Sequence, residues 1–174
     1  MFRKGGWLRE TAETVLIALV LALVVRTFVV ESFLVEGPSM EPTLLNRERL
    51  LVNKFIYHFT RPRCGDIIVF RYPVDPRRDF VKRVVATGGE TVEMKGGQVL
   101  VNGEVLHEPY VAEGGDGYVP PTTVPEGFLF VLGDHRAISE DSRSFGFVPL
   151  RNVKGKAFLV YWPPQRARVL RPAT

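Results

Sequence analysis

Apolar positions form one long block near the start of the chain and a series of short blocks after it. Residues 11–30, TAETVLIALVLALVVRTFVV, are nearly all apolar, and about 20 helical residues at roughly 1.5 Å each cross a hydrocarbon layer about 30 Å thick. The pattern predicts a single transmembrane helix. Glu13 and Arg26 confine its clean apolar core to residues 15–25, with Arg26 snorkelling to the interface. A cleavable export signal needs small residues after such a core, and Arg26, Phe28, Glu31 and Phe33 stand there instead. A buried helix of a soluble protein is disfavoured by the lack of polar periodicity across residues 16–25. Arg3, Lys4 and Arg9 precede the block, so the positive-inside tendency places the N-terminus in the cytoplasm and the remainder of the chain outside.

Beyond residue 35 the apolar runs are short and punctuated by Gly and Pro: RLLVNKF, DIIVFRYP, FVKRVVAT, TVEMKGGQVLVNGEVL, GFLFVLGD and KAFLVYWP. These predict strands. Asn102 and Gly103 separate two alternating segments, a strong hairpin signal because both turn positions need positive φ. Residues 107–127 are rich in Gly and Pro and read as a long surface excursion. The predicted fold is mostly β: residues 1–30 form a cytoplasmic N-terminus and anchor, and residues 31–174 form an extracytoplasmic antiparallel β domain of sandwich or barrel-like character.

At 174 residues, 45% apolar and 24% charged, the chain suffices for one packed domain and an appendage and does not read as disordered. The net charge of +4 is scattered rather than gathered in a stripe, which argues against nucleic acid as a partner. The single cysteine, Cys64, allows neither an internal disulfide nor a cysteine zinc cage. The sequence lacks a zinc-protease, Walker or dinucleotide motif, so no metal or cofactor is expected.

Three segments hold groups that could do chemistry. Ser39 lies in GPSMEPTL, where Gly37, Pro38 and Pro42 preclude regular structure and leave a rigid turn able to present a hydroxyl and aim amides at an oxyanion. Taken alone, the segment is as well explained as a structural turn. Lys82 lies in DFVKRVVAT, and alternation puts it on one face with Phe80 and Val84 while Val81, Arg83 and Val85 take the other. If that face is buried, desolvation lowers the lysine pKa and makes it a usable base; an edge-strand lysine that snorkels would look the same in sequence. The third segment, GDHRAISEDSRSFG, follows an apolar run and carries Asp134, His135, Ser139, Asp141 and Arg143. A triad of Ser39, His135 and Asp134 or Asp141 is the alternative to the lysine, because triads are defined by geometry and not by order.

GPSMEPTL, KRVVATGGE and GDHRAISEDSR, in that order behind one N-terminal hydrophobic segment, resemble the bacterial type I signal peptidases. RCGDIIVFRYP is similar to that family's second strand block. The resemblance implies a plasma-membrane serine endopeptidase that removes N-terminal signal peptides from exported preproteins after small residues one and three positions before the cut. It makes Ser39 the nucleophile, Lys82 the general base and Ser139 a hydrogen-bond partner of the lysine amine, with Asp134, Asp141, Arg83 and Arg143 holding strands and loop in register. Val35, Met40, Leu44 and Val81 match the pocket for the residue next to the cut, and Phe33 and Val81 the pocket two residues further back. Gly37 stands where some relatives carry a serine that assists the oxyanion hole, and His135 where asparagine is commoner. A self-cleaving Ser/Lys peptidase of repressor type would need a DNA-binding partner domain, and nothing before Ser39 resembles a helix-turn-helix. A non-catalytic tethered β domain that binds exported polypeptides along a sheet edge would need neither Ser39 nor a desolvated lysine.

Overall fold

The structure, a computed structural model, describes residues 6–24, 29–111, 115 and 117–172. Arg3, Lys4 and the end of the predicted anchor, including Arg26, lie outside them. Helix α1 spans Gly6–Val24. Among the described residues no helix is long and apolar enough to cross a membrane. The described side chains of α1 are all exposed, including Val15, Leu16, Ile17, Leu19, Val20 and Leu21.

The body is antiparallel β structure in two sheets. The larger joins β1 (Val30–Leu34), β2 (Arg49–Asn53), β11 (Val153–Trp162), β3 (Ile67–Arg71), β4 (Asp79–Thr87), β9 (Phe128–Leu132) and β10 (Val148–Pro149) in that spatial order, with β12 (Arg168–Val169) beside β11. The smaller runs β7 (Glu104–Val105), β6 (Gln98–Val101), β5 (Thr91–Lys95), β8 (Val119–Thr123). The expected hairpin forms at Asn102 and Gly103, whose φ angles are 54° and 83°, and it pairs Val101 with Glu104. The 107–127 excursion is not wholly loop. Its residues Val119–Thr123 form β8 at the edge of the small sheet, the one place where Pro120 and Pro121, lacking N–H donors, are tolerated in a strand.

Three apolar clusters fix the body. One lies under β1, β2, β3 and β11 and includes Val35, Met40, Leu44, Leu50, Val52 and Val69. A second joins the sheets through Val85, Ala86, Phe130 and Leu132 against Val92, Met94 and Val99. The third, Ile68, Phe70, Val84, Leu129, Val131 and Val148, covers the opposite face of β3, β4 and β9. Strands β3 and β4 are thus covered on both faces, which is why IIVF is apolar without alternation. An irregularity in the β4–β9 pairing between Val84 and Ala86 lets Val84 join the third cluster while both Val85 and Ala86 join the second, as a bulge does.

Candidate active site

Ser39 is delivered by the turn that follows β1. Gly37 has φ +86° and its N–H donates to Asn46 Oδ1 at 3.1 Å. The turn then winds tightly, with Glu41 N–H donating to Pro38 O at 3.0 Å and Leu44 N–H to Met40 O at 2.8 Å. Met40 and Leu44 are fully buried and peg this turn into the first cluster. Behind it, Glu48 is buried and paired with Arg168, which also donates to Thr43 O. The Ser39 N–H has no protein acceptor among the described residues, so it is available to an incoming oxyanion.

Lys82 enters from β4. It is only 4% exposed, on the face of Phe80 and Val84, with Nζ 5.2 Å from the Phe80 ring centre. Nζ donates to Ser39 Oγ at 2.7 Å. Desolvation by burial lowers the lysine pKa from 10.5 to about 8; Asp141, Glu140 and Asp134 oppose this by favouring the ammonium, and Arg143 reinforces it. The Ser39 hydroxyl therefore has a lysine, not a histidine, as partner. His135 meets Ser39 only through the backbone, its N–H donating to Ser39 O at 3.1 Å.

The segment after β9 closes the site. Asp134, fully buried, accepts two hydrogen bonds from Arg83 at 2.8 and 2.6 Å. Arg83 continues to Gly65 O at 3.0 Å. Asp141 caps the short helix α2 (Ser142–Phe145), accepts from the Gly133 N–H at 3.0 Å and pairs with Arg143 at 2.8 Å. Ser139 does not make the expected bond to the lysine: its Oγ is buried with no hydrogen-bond partner among the described residues. It packs instead against Gly133, where an added Cβ would lie 2.1 Å from Ser139 Oγ and 2.4 Å from Ser39 O. Only glycine permits that approach, and Gly133 was not singled out from sequence. Also unforeseen were the pairing of Arg136 with Glu108, Tyr110, whose ring centre lies 3.8 Å from the Arg83 guanidinium carbon, and Tyr72, whose hydroxyl donates to Glu140 at 2.5 Å.

A groove runs from the Ser39–Lys82 pair between β1 and β4, lined by Phe33, Leu34, Glu36, Val81, Arg78 and Ile138 among others. Of the expected pocket residues, Phe33 and Val81 reach the groove surface, whereas Val35, Met40 and Leu44 are buried and do not line it. The groove is bordered by two open strand edges. Among the described residues β1 pairs only with β2, and residues 79–82 of β4 pair only with β3, while β9 takes up β4 from Arg83 onward.

The family model for "Signal peptidase, peptidase S26" matches residues 8–162. The chain belongs to the S26 signal peptidase family of serine endopeptidases. Signal peptidase I of Leptolyngbya laminosa is 42% identical over 173 residues, covering 95% of this chain and 85% of its own. Signal peptidase I P of Bacillus subtilis subsp. natto is 37% identical, covering 95% of each chain. The crystal structure of a signal peptidase I from Enterococcus faecalis V583 superposes with a TM-score of 0.52 at 36% identity, covering 56% of this chain and 97% of that one. Gly37, at the start of the Ser39 turn, has a positive φ, a conformation that disfavours a side chain there.

Proposed function

We propose that this chain is the endopeptidase that removes signal peptides from exported preproteins, with Ser39 as nucleophile and Lys82 as general base. The observation that carries the reading is the 2.7 Å contact between Ser39 Oγ and a buried Lys82 Nζ whose pKa is lowered to about 8. The preprotein's cleavage region lies extended in the groove and hydrogen-bonds to the open edges of β1 and β4. Leu50 and Val69, packed in one cluster with the buried Val35, Met40 and Leu44, close the floor, so only small side chains fit one and three positions before the cut, beside Val81 and Phe33.

Neutral Lys82 takes the Ser39 proton as Oγ attacks the scissile carbonyl carbon, and the Ser39 N–H holds the oxyanion. Collapse passes the proton from the lysine ammonium to the departing amine and leaves an acyl-enzyme ester. Water then attacks the ester, Lys82 takes its proton, and Oγ is released to reclaim one. Arg83–Asp134 and Arg143–Asp141 keep β4 and the closing segment in place. Ser139, beside the pair, supports the lysine amine when the substrate is bound. No cofactor enters the cycle.

Residues 11–30 anchor this body in the plasma membrane, with the N-terminus cytoplasmic and residues 31–174 outside. The second half of α1 supports this: Val15, Leu16, Ile17, Leu19, Val20, Leu21 and Leu23 are all exposed, and such an apolar surface is stable only when lipid or protein covers it. The test is cleavage of a preprotein by the full chain and by Ser39→Ala and Lys82→Ala. Each variant is expected to lose on the order of a thousandfold or more in kcat/KM; processing retained by either one refutes the dyad.

A further inference from the structure

The groove wall carries an arginine, Arg78, held against aromatic rings and not used by the dyad. Arg78 directly precedes β4, and its carbonyl accepts the Tyr72 N–H at 2.9 Å, extending the β3–β4 ladder by a rung. Its guanidinium lies 5.5 Å from the Tyr72 ring centre and 5.1 Å from that of Phe80, and these two rings are stacked at 4.3 Å. Such stacking orients the guanidinium plane and leaves its N–H donors free. Of the other charges lining the groove, Glu36 has no ion-pair partner among the described residues, and the rest are matched locally. Arg77 pairs with Asp75, Asp79 with Lys154, and Glu140 accepts the Tyr72 hydroxyl. Arg78 has no ion-pair partner among the described residues, although it is exposed on the groove.

We propose that Arg78 is an upstream specificity residue that reads a carboxylate side chain four or six residues before the cut. This inference rests on the signal-peptidase reading above. Four antiparallel pairings, β1 with β2, β2 with β11, β11 with β3 and β3 with β4, make β1 and β4 run in the same direction, both toward the dyad. A preprotein whose apolar segment sits in the bilayer enters from the Val30 end of the groove, where the enzyme's own apolar segment joins β1. Its residues before the cut therefore run parallel to both strands. Along β4, alternation puts Arg78, Phe80 and Lys82 on one face and Asp79 and Val81 on the other. Substrate side chains one and three before the cut share the Val81 face, so even-numbered positions share the face of Arg78. Arg78 lies three residues upstream of Val81, which sets it level with position four or position six.

The experiment uses the full chain in neutral detergent and preproteins carrying Asp, Asn or Lys at positions four, five or six before the cut. At position four or six, kcat/KM should favour Asp over Lys by roughly two- to fivefold, the scale of an exposed ion pair. That preference should shrink with added salt, be absent at position five, and invert in Arg78→Glu. An unchanged Asp-to-Lys ratio in Arg78→Glu, or equal preference at all three positions, overturns the proposal. So does a rate that follows added anionic lipid and ignores substrate charge, which would assign Arg78 to a lipid headgroup. Failure of the wild type to cut any of these preproteins overturns the underlying peptidase reading as well, and is distinguishable because no ratio then exists.

Discussion

A lysine that must be neutral to act is a lysine the fold disfavours when charged, and at Lys82 both consequences come from burial against Phe80 and beneath the Ser39 turn. Its pKa falls from 10.5 in the unfolded chain to about 8 in the folded one. The unfolded state therefore binds more protons between these values, and stability rises as pH climbs through that window. Below about pH 8 the whole cost is present, at most roughly 3.5 kcal/mol from about 1.4 kcal/mol per pH unit. Lys82→Met should thus be inactive yet more stable than wild type at pH 7, by somewhat less than that figure because Ser39 loses its partner. The gap should close as pH approaches 10.5. Denaturant unfolding of both proteins across pH 6.5 to 10 measures this, and a less stable variant at pH 7 would contradict it. The same titration sets the rate: kcat/KM of the wild type should rise with pH through a limb centred near 8, since only the deprotonated amine can take the Ser39 proton. Activity that survives in Lys82→Met with a pH limb of its own would point to a different base.

At the scale of elements, the site depends on how β4 is tied to the segment after β9, and that tie is the buried Arg83–Asp134 pair. Removing one partner leaves an uncompensated buried charge, so Arg83→Met should cost about 3–5 kcal/mol, and Arg83→Met with Asp134→Leu should recover most of it. Unfolding free energies of the three proteins check this; a single-variant loss below about 1 kcal/mol would show that the pair is dispensable. These elements were unequally legible in the sequence. The hairpin at Asn102 and Gly103 and the Phe80–Lys82–Val84 face follow from local rules, positive φ and a period of two. β8 was hidden because Pro120 and Pro121 contradict strand propensity except at an edge, and edge status depends on the neighbouring strand. Pairs such as Glu108 with Arg136, 28 residues apart, and Glu48 with Arg168, 120 apart, leave no local pattern at all. Ser39 and Lys82 could be picked out only because their motifs occur in a familiar order; neither alone exceeds what a turn or a snorkelling lysine would show. The unbonded Ser139 hydroxyl and the close approach over Gly133 depend on atomic packing that no spacing rule encodes.

For the whole molecule, the direction of the groove and the direction of the chain make one demand. β1 begins at Val30, at the end of the apolar block, and leads to Ser39 along the groove edge, so the proposed anchor would hold the dyad near the bilayer surface from which a preprotein's own apolar segment emerges. This works only if the body lies on the side to which preproteins are exported. The arrangement predicts that a thiol on the hairpin is open to the outside and one before the anchor is not. In a Cys64→Ser background, which removes the only native cysteine, Glu104→Cys places a thiol at an exposed hairpin position and Lys4→Cys places one ahead of residues 11–30. With intact cells, a membrane-impermeant maleimide should label Glu104→Cys before lysis and Lys4→Cys only after it. The reverse order would invert the topology and put the groove out of reach of exported chains. Labelling of both before lysis would remove the membrane span, and with it the geometric reason for a preprotein to enter the groove from the Val30 end.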